Sequence, residues 1–118
     1  MQHKDESMTD LGAIKIHKNA IASITSIAAV EIEGVKRVGG NLKSSLFAML
    51  GKKSYSAISV EINKNGEIRV EVPLIIKYGY NIPDIANRVQ ENVRLSLEKM
   101  TNLAVKDIDI KVRAIEKE

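Results

Sequence analysis

The residue pattern predicts a two-layer α+β fold: a single domain with a mixed β-sheet containing a central hairpin, two main helices packed on one face, and a short third helix. Three observations carry this. Apolar alternation from Ile58 to Ile76 around Asn65-Gly66 marks a hairpin in mid-chain, an apolar stripe from Ile82 to Met100 marks a long helix, and strand-helix-strand order recurs at both ends. At 118 residues the chain is one domain by the usual size of roughly 100 to 200 residues. Residues 1–10 are polar and mixed in charge and read as a tail without a signal peptide's apolar region; 11–115 form the domain body and 116–118 its end.

The first strand is expected near Gly12, where Ile14 and Ile16 alternate with Lys15 and His17. Asn19 then offers a helix cap, and Ile21, Ile24, Ile27, Ala28 and Ile32 recur at helical spacing. Gly34 suits the left-handed position that ends a helix, and a short extended piece runs on to Val38. After Gly39-Gly40-Asn41, the spacing of Leu42, Leu46, Met49 and Leu50 predicts the short helix, ending at Gly51.

In the hairpin, Ile58, Val60 and Ile62 precede the turn Lys64-Asn65-Gly66, in which Asn65 and Gly66 both tolerate positive φ; Ile68, Val70, Val72, Leu74 and Ile76 follow. Pro73 cannot donate a ladder bond, which places Pro73 to Lys77 at a sheet edge or bulge and makes Pro73, Ile75 and Lys77 candidates for docking a partner strand. Asn81 or Asp84 caps the long helix, whose stripe is Ile82, Ile85, Ala86, Val89, Val93, Leu97 and Met100. Ile108, Ile110 and Val112 alternate with Asp107, Asp109 and Lys111 in a last strand.

Composition removes several function classes. Without cysteine there is no disulfide scaffold, thiolate metal site, iron-sulfur cluster or cysteine nucleophile. Apolar runs such as Ile27 to Val30 fall far short of the roughly 20 residues that cross a bilayer. His3 and His17 have no ligand cluster around them, so no metal is expected. The serines lie outside any nucleophile-elbow motif, and the strand carboxylates read as a solvated face, so neither catalytic residues nor a cofactor are expected. Gly51-Lys52-Lys53-Ser54 resembles the end of a phosphate loop, but Leu46 stands where that loop needs its first glycine.

Charge is uneven. The interval from Glu33 to Glu61 holds no acidic residue between its ends yet carries Lys36, Arg37, Lys43, Lys52 and Lys53, leaving 13 of the 18 basic residues to the stretches that hold all 15 acidic ones. These five could contact an anionic lipid surface or a nucleic-acid backbone, or could simply solvate a surface insertion. One Phe, three Tyr and no Trp supply few stacking platforms, which argues against reading of nucleic-acid sequence.

The strings Val72-Pro73-Leu74-Ile75-Ile76-Lys77-Tyr78-Gly79, Ile82-Pro83, Val89-Gln90-Glu91-Asn92-Val93-Arg94, Met100-Thr101-Asn102-Leu103 and Ile108-Asp109-Ile110-Lys111-Val112 resemble the bacterial alkaline shock protein family. Gly12-Ala13-Ile14-Lys15-Ile16 and Ala28-Ala29-Val30-Glu31-Ile32-Glu33-Gly34-Val35 extend the resemblance, which covers about residues 11 to 115 and is weakest from Val38 to Ala57. It implies a small non-enzymatic cytoplasmic protein of Gram-positive-type bacteria, linked to envelope homeostasis and stress. It also implies self-association and, for some members, a membrane-anchored partner at the inner face of the membrane. Two readings follow: an interaction or scaffold protein docking on such a partner, and a direct binder of anionic lipid or nucleic acid through the basic 36–53 segment.

Overall fold

The structure is a computed structural model that describes residues 17–39 and 57–117. The expected first strand near Gly12, the short helix from Leu42 to Leu50, and Lys43, Lys52 and Lys53 lie outside the described residues. Helix α1 covers 17–30, β1 is Val35–Val38, β2 is Ser59–Ile62, β3 is Glu67–Lys77, α2 is Ile82–Met100 and β4 is Ala104–Glu116. The fold is α+β, as expected, with a mixed sheet: β1 and β2 pair antiparallel with β3, and β4 pairs parallel with it.

β3 therefore lies inside the sheet. Along one edge β2 pairs with its first half, Ile68 to Glu71, and β1 with its second half, Leu74 to Ile76; β4 runs along the whole other edge. Its even-numbered residues Ile68, Val70, Val72, Leu74 and Ile76 form the core with residues of both helices, so α1 and α2 cover one face. Of the edge or bulge expected at Pro73 to Lys77, the edge is corrected: Pro73, Ile75 and Lys77 belong to a strand paired on both sides, Ile75 is fully buried, and bulges of β1 and β4 fall opposite this stretch. The carbonyl of Pro73 accepts from Gly39 N–H at 3.0 Å, so its backbone faces the β1–β2 side. Its missing donor falls at the seam between those two strands, where no ladder bond is required of it.

α1 is already helical at His17, so Asn19 lies within it and is not its cap. Its buried residues are Ile21, Ala22, Thr25, Ser26, Ala28 and Ala29, whereas Ile27 is exposed. The sequence stripe, built on isoleucines, thus pointed one flank too far: small residues let the helix approach the sheet closely, and Thr25 is satisfied there by donating to Ile21 O at 2.7 Å. α2 follows its pattern more closely. Asn81 Oδ1 caps it by accepting from Asp84 N–H at 3.0 Å, and Ile85, Val89, Val93 and Leu97 are buried, each contributing about 1.5–3 kcal/mol. Met100, at the C-terminal end of the helix, is exposed.

The hairpin turn is looser than a two-residue loop. Asn63 N–H donates to Glu67 O and Gly66 N–H to Asn63 O, both at 3.0 Å, and Gly66 alone among the turn residues has positive φ, +77°. This is a type I turn followed by a left-handed glycine, so Asn65 needs no positive φ. The side chain of Asn63 anchors it, accepting from Asn65 and Glu67 N–H at 2.9 Å.

Gly34 joins α1 to β1 with φ +103°, and a Cβ there would stand 2.7 Å from Ile85 Cδ1 and 2.9 Å from Tyr80 Cδ1. Gly79 has a similar φ, +97°, with nothing within 4 Å. Gly34→Ala is expected to cost about 3 kcal/mol and Gly79→Ala about 1 kcal/mol, since only the first adds a clash in the core to backbone strain. Urea unfolding of the two variants checks this; equal losses would mean that the contact with Ile85 and Tyr80 relaxes freely.

Candidate functional site

Alongside the first half of β3, the sheet face away from the helices is polar and paired by charge, whereas Pro73 and Ile75 farther along it are buried. Two bulges in β4, at Lys106 and Arg113, keep its alternation in step with β3, so that Asp107, Asp109 and Lys111 stand on this face opposite Arg69, Glu71 and Pro73. Arg69 pairs with Asp107 at 3.3 Å, Lys111 with Asp109 at 3.3 Å and Arg113 with Glu71 at 3.8 Å. A hollow of about 430 Å³ lies among Ser59, Glu61, Arg69, Glu71, Asp107 and Asp109. Among the described residues no three His, Cys, Asp or Glu gather as metal ligands.

The basic residues Lys36 and Arg37 sit at one end of this face. A bulge in β1 between Val35 and Arg37 makes Lys36 the extra residue, while Val35 and Val38 stay in the core. Arg37 reaches across β3 to β4, where Nη1 and Nη2 donate to Glu116 Oε1 and Oε2, each at 3.0 Å. Lys36 Nζ lies 3.2 Å from the same carboxylate and donates to Lys117 O at 2.7 Å. Both described members of the basic segment therefore share one anion and tie β1 to the end of β4.

The third feature is the outer edge of β4. No other described strand pairs along it. Gln90 Nε2 donates to Ile108 O at 2.7 Å and Arg94 Nη1 to Val105 O at 3.2 Å, which caps its first half from α2. Beyond Ile108 this capping stops, and Val112 and Ile115 on the helix side are 36% and 48% exposed. Sequence reading placed the edge on β3 because Pro73 stands out; the better signal was thirteen residues of β4 whose outward positions are charged, as edge strands are.

The chain matches, over residues 6–117, the alkaline shock protein 23 family, described by a cell envelope-related function. It belongs to this family. Among its relatives are YqhY of Bacillus subtilis, 33% identical over 98% of this chain and 84% of that protein, and YloU of the same organism, 29% identical over 93% of each. A stress response regulator gls24 homolog of Streptococcus pyogenes is 24% identical over 92% of this chain and 62% of that protein. Solved structures of the MamM CTD share the fold: one variant aligns with TM-score 0.52 and 13% identity, covering 86% of this chain and 99% of that chain. The resemblance to alkaline shock proteins seen in the residues is thereby established, and with it a stress- and envelope-related family setting.

For this family member, the contacts of Glu116 tie stability to pH in the acid range. The hydrogen bonds from Arg37 and then Lys36 hold the Glu116 carboxyl below its ordinary value of 4.5. A depressed folded-state value gives stability that is complete above the ordinary range and is lost as pH falls through the folded value. Glu116→Gln should therefore lower the urea midpoint near neutral pH, by an amount that shrinks as pH falls through and below 4.5. A midpoint difference independent of pH would show that the ion pairs do not contribute.

Proposed function

We propose that the chain is a non-enzymatic cytoplasmic interaction or scaffold protein of envelope homeostasis or stress response, which self-associates and docks on a membrane-anchored or envelope-synthesis protein. The observation that carries this reading is the β4 edge, a long strand with one side open among the described residues and uncovered Val112 and Ile115 beside it. Such an edge offers backbone donors and acceptors to another chain, with apolar side chains to complete the contact. The family's cell envelope-related description supplies the setting.

Supporting it, charges on the open sheet face are matched within the domain, Arg69 to Asp107 and Arg113 to Glu71, so they are not arranged as an acid-base pair awaiting a substrate. No described helix is long and apolar enough to cross a membrane, so a stable place at the envelope would come through a partner. Direct binding of lipid or nucleic acid gains no support from Lys36 and Arg37, whose charge Glu116 already engages.

Fractionation of the producing cell tests the reading. Expected is recovery with the membrane pellet, retention at high salt and reversible cross-linking to one dominant membrane protein. Release by modest salt with no fixed companion would favour contact with anionic lipid through the basic segment. Recovery wholly in the soluble fraction, without cross-linked companions, would overturn envelope docking.

A further inference from the structure

We infer that the edge of β4 left open among the described residues pairs antiparallel with the same edge of a second copy, on a two-fold axis through Ile110. This rests on the reading of the chain as an interaction protein and names one occupant of its edge. The backbone direction comes first. The carbonyl of Ile108 is taken by Gln90 of α2 and not by β3, so it points to the outer edge. β4 runs without a bulge from Asp107 to Val112, and strand backbones alternate direction, so Ile110 and Val112 also present their N–H and C=O groups outward. Ile108 can still receive a partner's N–H, because a carbonyl oxygen has two lone pairs.

The register follows from the side chains. Residues directly opposite in an antiparallel pair lie on the same face, so the axis must pass through a residue and not between two. Centred on Asp109 or on Lys111, the axis sets that residue against its own like charge. Centred on Ile108 it sets Asp107 against Asp109, and on Val112 it brings Lys111 to Arg113. Through Ile110, Asp109 faces Lys111 of the other copy on both sides of the axis, so that the 3.3 Å pair these two make within one strand is joined by two across it; Val112 faces Ile108, whose side chain is already buried in its own core. Ile110 then makes the hydrogen-bonded pair with itself, while the Asp109–Lys111 pairs fall at the wider-bonded positions, where side chains approach most closely. Within this unbulged stretch, only the Ile110 register joins outward backbone groups with opposite charges.

Sedimentation of the purified full chain tests this. Wild type should dimerise with concentration, and Lys111→Glu should weaken the dimer about tenfold or more, since each Asp109 then meets a carboxylate. The double variant D109K/K111D should restore it, because the swap recreates the complementary pairs across the axis. Both positions are exposed, and thermal melts verify that the variants stay folded. The chain has no cysteine, so Ile110→Cys introduces a single thiol. In a hydrogen-bonded pair its Cα lies about 5.5 Å from its mate, within disulfide range, so mild oxidation should give a covalent dimer, whereas Glu61→Cys on β2 should not. A chain that sediments as a monomer at every concentration, a dimer indifferent to Lys111→Glu, or a charge swap that does not restore association overturns the pairing. A dimer that behaves as expected in a chain that never fractionates with membranes sinks only the envelope docking.

Discussion

Pairing of β3 along both edges is the constraint from which the remaining placements follow. Eleven residues of strand carry Ile68, Val70, Val72, Leu74 and Ile76 on one face, all buried, and that face needs more apolar cover than one helix supplies. α1 and α2 share it, meeting where Asn92 Nδ2 donates to Ala28 O at 2.7 Å and to Glu31 Oε1 at 3.0 Å. The parallel partner β4 can be reached only by a crossover, and α2 is that crossover. Gly34 is part of the same arrangement, because the chain must turn from α1 into β1 under Ile85 with no room for a side chain.

The face away from the helices carries ion pairs at both ends, with Pro73 and Ile75 buried between them, where the other is held by apolar burial throughout. Arg37 and Glu116 are 79 residues apart in sequence, yet their bidentate contact spans the central strand and links the two strands flanking it. Exposed single ion pairs contribute about 0–1 kcal/mol, so Arg69–Asp107, which joins β3 to β4, serves register more than stability, and Lys111–Asp109, within β4, serves neither strongly. The Arg37–Glu116 pair differs in being bidentate, partly sheltered and shared with Lys36. It turns the start of the basic segment into a structural fastening and leaves Lys43, Lys52 and Lys53 as its other members.

Features that depend on local periodicity were legible in the sequence. The alternation of β3, the α2 stripe from Ile85 to Leu97, the Asn81 cap and the left-handed Gly34 all express the chemistry of a few adjacent residues. What escaped depends on distant neighbours. Thr25 and Ala29 are buried in place of Ile27 because the sheet sets how near α1 can come. Pro73 sits inside the sheet because two short strands, and not one long one, share that edge, and Ile75 on the polar face was the sign that the strand is buried on both sides. The bulges at Lys36, Lys106 and Arg113 carry no signature in a single strand, since each exists only relative to its partner. The candidate site shared this fate: its charged residues were visible, but which edge lay open was a property of strand order.

That strand order also limits what an open β4 edge can build. The opposite side of the sheet is divided between β1 and β2, four residues each, broken at the Pro73 seam. Two short, interrupted edges are poor templates for strand addition, whereas β4 offers one long run. Among the described residues the sheet therefore has one strong pairing edge and not two, and a sheet grown by that edge ends at the second copy because the two-fold contact consumes it on both sides. Arg94 reinforces the limit by occupying the Val105 carbonyl, which confines an incoming strand to the stretch from Ile108 onward. An edge with this arrangement permits a closed pair without inviting an open fibre, leaving the polar surface around Glu61, Arg69 and Asp107 for a different partner.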